Sequence, residues 1–68
     1  MTLTIRLNGQ SQRTELATVA QLLAAEGIER RRGVAVAVNG EVVPARRWEE
    51  HRLADGDDVE IVRPIGGG

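Results

Sequence analysis

With 68 residues the chain has room for one small domain and none for separate cofactor and substrate domains. Cysteine is absent, which excludes a disulfide framework, a thiolate zinc site and a cysteine nucleophile; all nine basic residues are arginine, which excludes Schiff-base chemistry. Ten acidic residues, a formal charge of -1 and a single aromatic side chain leave no basic stacking surface of the kind nucleic acids need.

From residue 2 to 7 the chain alternates. Leu3, Ile5 and Leu7 share one face and Thr2, Thr4 and Arg6 the other, which is the period of a half-buried strand. Asn8-Gly9 tolerates positive φ at both positions and predicts a type I′ hairpin turn, so polar residues 10–15 return as an edge strand. Thr18-Val19-Ala20-Gln21 fits a capping box, with the threonine hydroxyl accepting from the Gln21 amide and the glutamine side chain reaching back. Val19, Leu22 and Leu23 make an apolar stripe, Gly27 ends the helix in the left-handed region, and Ile28 folds back over its last turn. At about ten residues this helix is too short to stand alone and must dock on a sheet.

Glu29-Arg30-Arg31-Arg32-Gly33 is a charged loop, either a solvated connector or a contact for a partner's acidic surface. Residues 34–38 form the strongest strand, with three valines on one face and two alanines on the other, so it is central and covered on at least one side. Asn39-Gly40 predicts a second hairpin turn, Glu41-Val42-Val43 pairs back, and Pro44 stops that strand. Residues 45–52 suit a short 3₁₀ turn, with Trp48 as a lid on one end of the core. Residues 53–58 form a tight turn pivoting at Gly56, and residues 59–63 are the last strand, ended by Pro64. The first and last strands are strongly apolar and belong side by side in the centre, with the polar second strand at an edge. The expectation is an α+β domain of β-grasp (ubiquitin-like) type, a mixed sheet of about five strands with one helix on one face. The domain occupies residues 1–65 and residues 66–68 form a flexible C-terminal glycine tail.

Few side chains offer chemistry. His51 lies among Glu49 and Glu50 as a surface group, and Ser11 has no base at a recognisable spacing. Asp55, Asp57, Asp58 and Glu60 lack the spread of a calcium loop and suit turn chemistry better. No phosphate-cradling glycine motif is present, so the chain is not expected to be an enzyme. With no apolar run approaching the ~20 residues of a membrane span and no signal peptide, a cytoplasmic protein without membrane association is expected.

The unusual feature is the end. Gly66, Gly67 and Gly68 follow the last strand and carry heavy chain entropy with no structural return. A tail of this kind suits a linker or an unstructured terminus; it also suits threading through a narrow channel, with Gly66 and Gly67 giving slimness and Gly68 presenting an unhindered carboxylate. The sheet face away from the helix presents Ala35 and Ala37, which either dock a partner or pack beneath loops, and Pro64 and Ile65 at the base of the tail order it on docking.

Several segments carry a resemblance nearly end to end. They are the opening strand with Asn8-Gly9, the helix start Thr18-Val19-Ala20-Gln21-Leu22-Leu23, and Val36-Ala37-Val38-Asn39-Gly40. Glu41-Val42-Val43-Pro44, Trp48, Leu53-Ala54-Asp55-Gly56-Asp57-Asp58-Val59-Glu60-Ile61 and Gly67-Gly68 complete it. The chain resembles the ThiS-type sulfur carriers of thiamin biosynthesis, relatives of the MoaD carriers. The resemblance implies a co-substrate: a ThiF-like enzyme adenylates the Gly68 carboxylate with its own ATP and magnesium, and a persulfide donor converts the adenylate to a thiocarboxylate. A ThiG-like thiazole synthase then consumes the sulfur. It implies no cofactor bound by the chain itself, no metal and no catalytic residue. A MoaD-like carrier for molybdopterin or another pathway, or a ubiquitin-like modifier, would share the same fold and the same glycine.

Overall fold

β1 (Leu3–Leu7) and β2 (Gln10–Thr14) pair as an antiparallel hairpin, Leu3 opposite Thr14 and Leu7 opposite Gln10, in a computed structural model of the chain. The structure describes residues 1–64; Ile65, Gly66, Gly67 and Gly68 lie outside the described residues, and with them the predicted tail. The turn has positive φ at both Asn8 and Gly9, as a I′ turn requires. Next come the helix α1 (Val19–Ala25), the hairpin of β3 (Ala35–Val38) and β4 (Glu41–Val43), a 3₁₀ turn (Ala45–Arg47) and β5 (Asp58–Val62). Asn39 and Gly40 repeat the positive-φ pair between β3 and β4. The sheet order is β2-β1-β5-β3-β4, with β5 parallel to β1 and antiparallel to β3. The polar β2 is an edge, and the two apolar terminal strands are central neighbours, as their composition predicts.

The helix is shorter than expected, at seven residues. Gly27 donates its N–H to Ala24 and Ile28 to Leu23, so a left-handed glycine closes the last turn and brings Ile28 into the core. At the other end Thr18 Oγ1 accepts from the Gln21 amide at 3.2 Å, but the Gln21 side chain accepts from Ala17 at 2.7 Å rather than from Thr18. Ala17 and Val19 are both tied to the segment before β5, through Leu53 N–H to Ala17 and Val19 N–H to His51, which holds Thr18 extended across from Arg52. Strand boundaries also move by one residue, β1 beginning at Leu3 and β2 ending at Thr14. Val34 N–H donates to Arg31 in a turn, so the ladder of β3 begins at Ala35. Asp58 pairs with Arg6, so β5 begins and ends one residue early.

Trp48 is not a lid. It is 1% exposed, the largest of the fully buried side chains, and its indole N–H donates to the Val43 carbonyl at 2.7 Å. Pro44 turns the chain off the edge of the sheet, the 3₁₀ turn reverses it, and Trp48 then enters between β4 and the start of the helix, whose Ala20 N–H donates to the Trp48 carbonyl. Around it Ile5, Leu22, Leu23, Val36 and Val59 fill one core between helix and sheet. Arg31 caps the ring from outside, its guanidinium carbon 5.8 Å from the centroid.

The asparagines of both turns do more than permit positive φ. Only two residue pairs join β1 to β5, and beyond them the Asn8 carboxamide continues the ladder, accepting from Ile61 N–H at 2.8 Å and donating to its carbonyl at 3.3 Å. Asn39 accepts from Asp58 N–H at 2.9 Å and donates to Asp57 Oδ1 at 2.9 Å. Asp57, 8% exposed, uses its other oxygen to accept from Ala54 N–H. Asp55 accepts from Thr4 N–H at 2.7 Å, so the acidic turn before β5 locks the strand between its two neighbours.

Candidate functional site

The face of the sheet away from the helix is set by the alternation of its strands. Val36, Val38, Val43 and Val59 point inward, so Ala35, Ala37, Val42, Glu60 and Val62 point outward. The register brings them together: Ala37 lies between Val42 and Glu60, and Ala35 lies beside Val62. Two methyl-sized side chains at the centre leave a shallow hollow of about 200 Å³, flanked by Val42 at 75% and Val62 at 64% exposure. Ala35 is exposed and Ala37 half-buried, so these alanines do not sit beneath loops. Across the same face the surface becomes charged, with Arg6 opposite Ser11 on one side and Asp58 on the other.

Val42 was not singled out by sequence patterning. Val42-Val43 is an apolar pair whose inward member is decided only by the pairing of Val43 with Val36. The signal available was the hairpin turn: two residues at Asn39-Gly40 place Val42 opposite Ala37 once the loop length is fixed.

β5 delivers the chain to Pro64 at one end of this face. Pro64 rests on the loop before β3, where Gly33 has φ +78° and a side chain carbon built on it would lie 2.8 Å from Pro64 Cγ. Next to this contact is a cleft of about 240 Å³ whose lining includes Ile28, Val34, Arg30, Arg32 and Arg63. Among the described residues the ion pair is Arg47 with Glu50 at 3.3 Å, away from this cleft, and no described carboxylate pairs with Arg30, Arg32 or Arg63. The charged loop thus lines a cleft together with Arg63 and Pro64.

The other side chains considered from sequence lie elsewhere. His51 is half-buried and its carbonyl serves the helix start; Ser11 is exposed on the edge strand; Asp55 and Asp57 are used by the turn before β5. Among the described residues no three histidine or carboxylate groups could hold a metal ion, and no helix is long and apolar enough to cross a membrane. Ile65 and the predicted threading and reacting glycines Gly66, Gly67 and Gly68 lie outside the described residues, four positions beyond Pro64 at most. Fully extended, four residues span at most about 13–14 Å.

The model of the ThiS family matches residues 5–68. The sulfur carrier protein ThiS of Escherichia coli K12 is 30% identical over 64 residues, covering 94% of this chain and 97% of that protein. A crystal structure of the thiamine biosynthesis protein ThiS from Geobacter metallireducens superposes with a TM-score of 0.78 at 30% identity, over 97% of this chain and 100% of the other. A solution structure of a thiamine biosynthesis protein from the same organism gives 0.79 at 30% identity, over 97% of this chain and 88% of its own.

Proposed function

We infer that this chain, which belongs to the ThiS family, is a sulfur carrier protein of thiamin biosynthesis, a co-substrate and not a catalyst. Its mixed sheet with one helix is the β-grasp. The observation that carries the reading is the family match running through the terminal glycines, on a domain that has no cysteine to hold sulfur.

In this proposal Gly68 is the reacting residue. An α-carboxyl group is ionised at neutral pH, and its oxygen attacks the α-phosphorus of ATP as pyrophosphate leaves. The acyl-adenylate supplies the leaving group that a bare carboxylate lacks. A persulfide sulfur attacks the carbonyl carbon and AMP departs; a second thiol cleaves the remaining S–S bond, leaving the thiocarboxylate. ATP and magnesium belong to a ThiF-like adenylating enzyme, the sulfur comes from a persulfide donor, and a ThiG-like thiazole synthase consumes it. This chain contributes a rigid body, a narrow tail and a surface to hold on by.

That surface is the outward face around Ala35 and Ala37, extended by Val42 and Val62, with Pro64 and Ile65 guiding the tail as it docks. Small side chains beside exposed valines make a flat apolar patch next to charged neighbours, the pattern of a docking surface with a polar rim. Ala37→Asp puts a charge at its centre and is expected to raise the KM of the adenylating enzyme for the carrier about tenfold, equivalent to about 1.4 kcal/mol of binding. Adenylation with unchanged KM would remove this face from the interface.

The test of the function is intact mass after incubation with ATP, magnesium, the adenylating enzyme and a persulfide source. A gain of ~16 Da, sulfur for oxygen at the terminal carboxyl, is the expected product. Adducts of high molecular mass would mark a protein modifier instead.

A further inference from the structure

We propose that Gly33 is a positioning residue for the C-terminal reacting group: its bare backbone is the seat on which Pro64 rests, and that seat fixes where the tail leaves the domain. The proposal rests on the carrier reading given above and adds to it a residue far in sequence from the tail.

Ladder support for β5 ends at Val62, paired with Ala35. Arg63 and Pro64 lie beyond it, and the reacting carboxylate lies four residues further on. With four residues spanning at most about 13–14 Å, the position of the root sets directly where the end can reach. Gly33 extends the support by two residues. A Cβ at position 33 would stand 2.8 Å from Pro64 Cγ and 3.6 Å from Cδ, the first well inside van der Waals contact. A long side chain could swing its far end away from such a clash. The pyrrolidine ring cannot, because it is closed onto its own backbone nitrogen, so the backbone of residue 64 must move.

Position 33 is also a positive-φ site, which would explain glycine there without any seat. Gly27, Gly40 and Gly56 separate the two explanations: each has positive φ, and a Cβ at each would meet nothing within 4 Å. Among these positions the glycine at 33 is required by a contact as well as by conformation, and the contact is with the root of the tail.

The experiment compares Gly33→Asn with the native chain in ATP–pyrophosphate exchange by the purified adenylating enzyme. Asparagine accepts positive φ but carries a Cβ. It is expected to lower kcat about tenfold, while KM for the carrier stays within about twofold because Ala35, Ala37, Val42 and Val62, which make the body of the docking face, keep their places in the sheet. In a Pro64→Ala background, which lacks Cγ and Cδ, the same substitution is expected to cost less than about twofold more. Native kcat in Gly33→Asn, or an undiminished loss in the Pro64→Ala background, overturns the proposal. A nuclear Overhauser contact between Gly33 Hα and the Pro64 ring in the free native chain is the second readout, and its absence overturns the seat whatever the kinetics of the variants. Failure of the native chain to support any exchange would sink the carrier reading instead, and the Overhauser contact still decides the seat.

Discussion

Removing Gly68, or adding one residue after it, is expected to lower adenylation at least about 100-fold while the domain unfolds at its native midpoint. The truncated chain still ends in a glycine carboxylate of the same chemical character, so the variant alters position and nothing else. One residue moves the carboxylate by about 3.3–3.6 Å, whereas an in-line attack tolerates misplacement of about 1 Å before losing two orders of magnitude. Gly68 is four positions beyond Pro64, a reach of about 13–14 Å at full extension, so one residue changes that reach by about a quarter. Ladder pairing ends at Val62 and the core closes over Val59, so neither change touches the domain's packing. Pyrophosphate exchange and thermal unfolding on the same samples check both halves. Adenylation of either variant at the native rate would show that Gly68 is not the reacting residue.

Trp48→Ala is expected to leave the chain largely unfolded at room temperature. Truncating a buried tryptophan costs about 3–5 kcal/mol, and an unsatisfied buried acceptor at Val43 adds about 1–3 kcal/mol. A domain of 68 residues has about 3–10 kcal/mol in total. Trp48→Phe keeps most of the packing and loses the hydrogen bond, so it should fold with a stability lower by about 1–3 kcal/mol. Urea unfolding followed by far-ultraviolet circular dichroism measures both, since tryptophan fluorescence vanishes with the residue. A native midpoint in Trp48→Ala would return Trp48 to the role of a surface lid. This residue stands between the edge strand and the helix start, so its loss also loosens β4, which carries Val42 of the docking face.

Strand and turn chemistry was legible because it is local, and so was the Thr18 half of the helix cap. The alternation of Leu3, Ile5 and Leu7 selects an inward face without reference to any partner. Asn-Gly at 8–9 and 39–40 encodes two hairpins within four residues each. Trp48 was misplaced because a lone tryptophan in a polar stretch looks peripheral until Pro44 and the 3₁₀ turn are seen to swing it inward. The acidic turn was read as turn chemistry, yet its specific work was not visible: Asp55 meets Thr4 across 51 positions and Asp57 meets Asn39 across 18.

By itself the amino-acid sequence determined the element order, the two hairpin turns and the inward faces of β1 and β3, because each depends on residues a few positions apart. Only the tertiary structure decided that both turn asparagines clamp the last strand and that Gly33 lies under Pro64. Those outcomes depend on which strands become neighbours and in what register, and a hydrogen bond or a van der Waals contact made across the fold leaves no periodic trace along the chain.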